Sequence, residues 1–566
     1  MSDEIVNVLS DIDSGMKVAL RPPEQVMRLK RLGSMHLSRL SFTRTLVRNA
    51  RRERWQMRRE FFDLDEEGYG RAVYVVRIRG RDYSLVAFSQ YLAPENRTDR
   101  VIALAWDTCY VLYDGVPTPA ELDRLAAAVP YQEASRYSER ELVLARANKS
   151  ERLFDLVKSA LAAGRQPDEA ALQDVGYLLR TSAVYGNGKF GIADYEVVAT
   201  RPEFSGAFVV EMLTVWLIRS FTIDLVEHCA RSIAPATAVR LEPKLKRQLG
   251  IGNSTGLGMA PFLVRHPALI HSWVHAREMA LARVRSIRRL DPVTQQDIVG
   301  LLDAAQGKLK QWATVDEMQA QQIEVLKTDL LRARGWAESL NDEELRPWDV
   351  LYRRAEAELG LEAQEYLVST LIEPHGALVD DLCAGMCMPD GEAPRMQGSM
   401  SCGRLAELVR AHYGWALAVD FASEDANARF WYTSQEKLEP RLGWRGDDEG
   451  DELELPLGFA REVSRLHTAL AGRPAAEPVS ALAAARPELR LAIRRVQTIA
   501  QYPYGEIHDN LLGAEMRPVD LMRCKLSIFG AEAFDPRSNL SLRIRLFQDA
   551  PFPDELQDDR DVRIGW

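Results

Sequence analysis

RAVYVVRIRGRDYSLVAFSQYL, residues 71 to 92, is the stretch that decides the class of fold. β-Branched and aromatic residues crowd both sides of Gly80, so Arg71–Arg79 and Asp82–Leu92 are expected as two strands of a hairpin. Val101 to Tyr113 has the same composition and is expected as a further strand.

Helical signals begin just beyond. Thr118-Pro119-Ala120-Glu121 is a capping box with proline at the first helical position. Apolar spacing then predicts helices over 139–163, 168–180, 206–232, 238–248, 268–288, 291–335, 342–360 and 362–387. Near the other end, Ala416–Phe421, Ala428–Thr433, Cys524–Phe529 and Leu540–Leu546 are expected as strands. The fold expected is a helix-dominated α+β protein, with small antiparallel sheets near the N- and C-terminal ends around a large helical centre. Four regions follow: an N-terminal segment with a basic helix (1–60), a small β-rich region (61–116), a helical domain carrying two glycine-rich loops (117–388) and a C-terminal α+β domain (389–566).

The basic helix is expected within 28–59, where eleven Lys or Arg residues face one acid, Glu53, and apolar residues are interleaved. The whole chain of 566 residues nevertheless carries a formal charge of −10, which disfavours general nucleic-acid binding. The most membrane-like run, Ala207 to Ile218, is interrupted by Glu211 and is too short to span a bilayer, so a buried helix is expected and no membrane partner. Six scattered cysteines (109, 229, 383, 387, 402 and 524) suit free thiols in a reducing compartment, and a cytoplasmic location is expected.

Two glycine-rich stretches mark the candidate site. In Gly250 to Glu278, GIGNSTGLGMAPFLVRHPALIHSWVHARE, glycines at 250, 252, 256 and 258 surround Asn253, Ser254 and Thr255. Such backbone approaches a ligand closely and offers N–H donors to an anion. No Gly-Lys-Ser/Thr follows, so it is not a Walker A loop, and no β-branched strand precedes it, which argues against a dinucleotide fingerprint. Arg180 to Asp194, RTSAVYGNGKFGIAD, is the partner stretch. Tyr185 and Lys189 have a Tyr-x-x-x-Lys spacing, but Gly186 and Gly188 break the helix that this pair needs to share a face.

The expectation is an enzyme acting on a small anionic metabolite, carboxylate or phosphate, with lyase or isomerase chemistry needing the least additional machinery. Arg180, Tyr185, Asn187, Gly252, Asn253, Ser254, Thr255, Gly256 and Gly258 are its ligand-binding residues. Lys189, His271 and His275 are its catalytic candidates, since imidazoles titrate near neutrality and a buried lysine can act as base or nucleophile. No motif names a cofactor, and a homo-oligomer is compatible with the composition. One alternative is a metal-dependent hydrolase using His271, His275 and Glu278, which share a helix face at i, i+4 and i+7. Another is a non-catalytic helical scaffold with segment 28–59 as its interaction surface.

Overall fold

The computed structural model describes residues 18–91, 93, 106–131, 138–181, 198, 201–204, 208–256, 267–310, 312, 317–386, 395–420, 431–434, 440–442, 454–456, 459–508, 523–524, 527–534 and 541–556. The chain divides into two compact units, each made of two segments: Leu40–Gly256 with Ile528–Trp566, and Met1–Arg39 with Leu257–Ser527. The protein is helix-dominated α+β.

The first unit is built on a nine-stranded sheet. Its strands are β1 (Gln56–Leu64), β2 (Gly70–Ile78), β3 (Arg81–Ser89), β4 (Thr108–Asp114), β5 (Glu141–Lys149), β6 (Tyr177–Thr181), β7 (Gly250–Gly256), β8 (Ala531–Phe534) and β9 (Ser541–Leu546). Their order is β1-β2-β3-β4-β5-β6-β7-β9-β8, so strands near both ends of the chain join one sheet. The expected hairpin is β2–β3, closed by Arg79 and Gly80, which both have positive φ, as the tight two-residue turn requires.

Helices cover both faces of the sheet. In chain order they are α1 (Phe42–Arg52), α2 (Pro119–Ala128), α3 (Leu153–Ala162), α4 (Glu169–Val175) and α5 (Val209–Ile233). The capping box at Thr118 and Glu121 starts α2, whose Leu122 and Leu125 pack on Val73, Val86, Cys109 and Val111. The opposite face puts Tyr74 and Tyr110 against Phe221 of α5. Helix α5 is buried nearly all round, as a largely apolar sequence requires, and Glu211 and Arg219 are buried with it. Its Arg219 is held by the carbonyls of Leu249, Arg247 and Ala550, and burial lowers its pKa to about 9. Each large apolar side chain buried in this way contributes about 1.5–3 kcal/mol.

Several expected elements differ. The helix expected over 139–163 is strand β5 followed by α3, and that over 168–180 is α4 followed by β6. Glu141–Lys149 is rich in Leu and Ala, which favour helix locally, but pairing with β4 and β6 overrides that preference. Gly250–Gly256 is a strand and not a loop. A Cβ at Gly252 would lie 2.6 Å from the Tyr177 ring, and one at Gly250 2.7 Å from the Leu546 carbonyl. Glycine is therefore needed for strand packing here. The segment 28–59 is not one basic helix: α1 is followed by β1, Arg31 and Arg44 are buried, and Arg39 pairs with Asp380 at 2.7 Å. Residues 524 and 527–529 are helical, and Ala416 and Leu417 close a helix, where strands were expected.

The second unit is helical. Its main helices are α6 (Pro267–Arg285), α7 (Pro292–Leu309), α8 (Glu317–Ser339), α9 (Pro347–Glu358), α10 (Leu361–Ile372), α11 (Cys402–Leu417), α12 (Phe459–Ala471), α13 (Val479–Ala485) and α14 (Arg490–Gln501). A small sheet of Trp431–Ser434, Pro440–Leu442 and Glu454–Pro456 accompanies them. Helices α11 to α14 close one apolar core around Leu405, Val409, Leu466, Leu482 and Val496.

A buried ionic cluster joins α6, α10 and residues 21–31. Arg21 donates to both Glu278 oxygens at 2.6 and 2.7 Å and to Glu365 at 2.6 Å. Arg31 and Arg277 reach Glu365 at 2.8 and 2.7 Å. Burial alone would raise the Glu365 carboxyl, yet Arg21, Arg277 and Arg31 hold it far below the usual carboxylate range. Beside it, Arg523 donates to Glu362 at 2.5 Å, and His36 lies 3.2 Å from the same oxygen. Burial, with Arg523 adding to it, lowers His36 to about 4.

Candidate functional site

Strands β6 and β7 run side by side in the one parallel ladder among the described strands, and the last residues of β6 lie beside the middle of β7. Tyr177 is opposite Gly250 and Arg180 opposite Gly252, with a register shift between the two pairs. On the other side of β6 the register runs Asn148 to Arg180 and Ala147 to Thr181. It continues from Ala147 to Thr108, and from Thr108 to Ser89. One end of the sheet therefore carries polar residues where strands of this burial are ordinarily apolar. They are Ser89, Asp107, Thr108, Asn148, Arg180, Thr181 and Asn253, none more than 5% exposed.

Most of these groups hold one another or the ladder. Asn148 Oδ1 accepts from the Asp107 N–H at 3.2 Å, and Asp107 Oδ2 accepts from the Lys149 N–H at 2.8 Å. The Thr108 hydroxyl donates to the Ala147 carbonyl and accepts from Tyr110. The Thr181 hydroxyl donates to the Arg146 carbonyl at 3.0 Å. Asn253 is different. It is 1% exposed, and neither its Oδ1 nor its Nδ2 has a hydrogen-bond partner; the Ser89 hydroxyl also lacks one. Leaving a buried polar group unpaired costs about 1–3 kcal/mol, so native chains seldom do it without another use for the group.

At the end of β5 the same unit has a cleft of about 600 Å³. Lys149 Nζ lies 5.5 Å from the Tyr69 ring centre and 5.1 Å from that of Phe154. Lys158 pairs with Asp155 at 2.6 Å, while Glu66, Glu67 and Glu151 also line the walls. Burial raises the Cys229 thiol, against the pull of Lys149 and Lys158. Four carboxylates against two ammonium groups make this cleft unsuited to an anion.

The histidine face lies in the other unit, on α6. His271 and His275 stack at 5.1 Å, with Tyr504 beside both and Tyr502 beside His271. His271 Nδ1 accepts the Tyr504 backbone N–H at 3.2 Å, so in the neutral ring the proton sits on Nε2. Burial, with His275 adding to it, lowers His271 to about 4, and burial also lowers His275. Glu278 faces inward, with both oxygens taken by Arg21. His271, His275 and Glu278 therefore do not assemble as a metal site: the carboxylate is committed to Arg21, and neither His271 nitrogen has a lone pair to give. Among the described residues no group of three His, Cys, Asp or Glu could hold a metal ion.

Of the residues expected from sequence, the structure brings Arg180, Gly252 and Asn253 onto adjacent strands. Ser254, Thr255 and Gly256 continue β7 and pair with Arg543, Leu542 and Ser541, so their backbone belongs to a ladder and not to an anion-holding loop. Tyr185, Asn187, Lys189 and Gly258 lie outside the described residues. Ser89, Asn148 and Thr181 are members that sequence reasoning missed. The signal for Ser89 was a polar residue ending an otherwise apolar strand. Asn148 gives none, because its segment has the local preferences of a helix. No family model matches the chain, and no curated protein or solved structure in the comparisons matches it.

Proposed function

We propose that this chain is a cytoplasmic enzyme acting on a small anionic metabolite, a carboxylate or phosphate, bound where the carboxyl end of β6 lies beside β7. The observation that carries this is Arg180, 5% exposed and opposite Gly252 in the parallel ladder. In sheets with parallel strands, ligands gather beyond the carboxyl ends of those strands. A guanidinium is the side chain best shaped to take a carboxylate or phosphate through two parallel hydrogen bonds. The absence of any membrane-crossing helix among the described residues accords with a site of this kind.

Lyase or isomerase chemistry is the reaction class we assign, because it asks only for proton transfer beside a held anion. With a pKa of about 4, His271 is neutral at pH 7 and a weak base.

Thermal unfolding with added phosphate or succinate tests the assignment. An anion at a hundred times its dissociation constant adds about 2.7 kcal/mol of stability. Arg180→Met should remove that gain, and Arg180→Lys should retain part of it through charge alone. If neither anion stabilises the unaltered protein at tens of millimolar, the anion site is wrong.

A further inference from the structure

We propose that the cleft at the end of β5 binds an aliphatic polyamine, a chain of methylenes carrying two or more ammonium groups. This site is separate from the anion site proposed above and does not rest on it.

Three elements wall the cleft. The turn between β1 and β2 brings Glu66, Glu67 and Tyr69, the start of α3 brings Glu151 and Phe154, and the end of α5 brings Ile233. Its volume of about 600 Å³ lies in the ordinary range for small-molecule sites. Charge sets the sign of the ligand. Lys158 is paired with Asp155 at 2.6 Å, whereas Glu66, Glu67 and Glu151 enter no ion pair among the described residues. These three carboxylates stand against one further ammonium, that of Lys149. No group of three acidic, His or Cys side chains among the described residues could hold a metal ion. A cation with its charge spread along a chain therefore suits the cleft better than a point charge.

The rings are an observation independent of the carboxylates. The Lys149 ammonium lies 5.5 Å from the centre of the Tyr69 ring and 5.1 Å from that of Phe154, so the cleft holds an alkylammonium of the chain's own between two aromatic side chains. Tyr69 meets Tyr91 edge to face at 5.9 Å, and Tyr91 and Ile233 are 65% and 61% exposed. Open apolar side chains beside carboxylates match a ligand whose methylenes lie on apolar surface while its charges stay hydrated. A second alkylammonium competes with Lys149 for the rings, and this competition gives the test its sign.

Spermidine titrated calorimetrically into the full chain, in about 0.15 M salt where charge on open surface is largely screened, tests the proposal. Saturable binding is expected, and magnesium at the same concentration of charge should not displace it. Glu67→Gln combined with Glu151→Gln should weaken binding about tenfold, and Tyr69→Leu about threefold. Lys149→Met should tighten it about threefold or more, because a repelling charge leaves the rings. Lys149→Gln, which keeps a polar side chain, should shift it the same way. No saturable binding, displacement by magnesium, or unchanged or weaker binding in both Lys149 variants overturns the proposal. Tighter binding of trilysine than of spermidine would overturn the free polyamine in favour of a basic peptide. The anion site stands or falls separately, since none of these residues belongs to it.

Discussion

A buried ionic cluster in the helical unit and a buried amide in the sheet unit differ in how fully their polar groups are paired. Around Glu365, three guanidinium groups and two carboxylates are packed at 2.6–2.8 Å, with Glu278 and Glu365 fully shielded from solvent. In the middle of β7, the Asn253 amide is just as deeply buried and has no partner. Cost explains why both can exist. Buried charges are tolerable only when paired and hydrogen-bonded, so the ionic cluster is nearly saturated. A neutral amide left unpaired costs far less.

Three experiments would break or sharpen that contrast. The largest effect is expected from Glu365→Ala, which removes the carboxylate that Arg21, Arg31 and Arg277 share. It should cost about 3–5 kcal/mol in urea unfolding. A loss under 1 kcal/mol would mean that the cluster is no more structural than the unpaired amide.

Gly252→Ala comes next. The added methyl would meet the Tyr177 ring at 2.6 Å, and overpacking of this kind costs about 1–3 kcal/mol. Tyr177→Ala in the same chain should recover part of the loss.

The smallest effect is set by pH. His36 and His271 sit near 4 when folded, against 6.5 ordinarily, chiefly because burial disfavours their charged forms. The unfolded chain therefore binds more protons between pH 6.5 and 4, and stability falls as pH falls through that window. Melting temperatures should be flat from pH 8 to 7 and decline below 6.5, and His271→Phe should make the decline shallower. An unchanged slope in that variant would show that folding does not lower the pKa of this imidazole.

How much was legible in the sequence follows the same physics. The hairpin of β2 and β3 was plain, because Val73, Val75, Val86 and Phe88 alternate across a glycine turn. Helix α5 was plain because its apolar run is long enough to name itself. Strands β5 and β7 were not, since Ala, Leu and Gly do not ask for strand; their neighbours impose it. At the proposed site, the glycine clusters drew attention to Arg180, Gly252 and Asn253 on adjacent strands, but as a loop where the structure has a ladder. The ionic cluster gave no signal at all. Arg21 meets partners 257 and 344 residues along the chain, and no local pattern records such a meeting.

The route of the chain through the sheet also bears on how the protein is made. Strand β7 ends at Gly256, and its neighbour β9 begins at Ser541. On a ribosome adding roughly 5–20 residues per second, about 15–60 s separate the two. A sheet that forms as it emerges therefore waits with one edge bare, its peptide groups open to any passing strand. The second segment of the helical unit, Leu257–Ser527, is synthesised within that interval. Mistakes in assembly should concentrate at this edge, where growing chains meet one another before β9 arrives to close it.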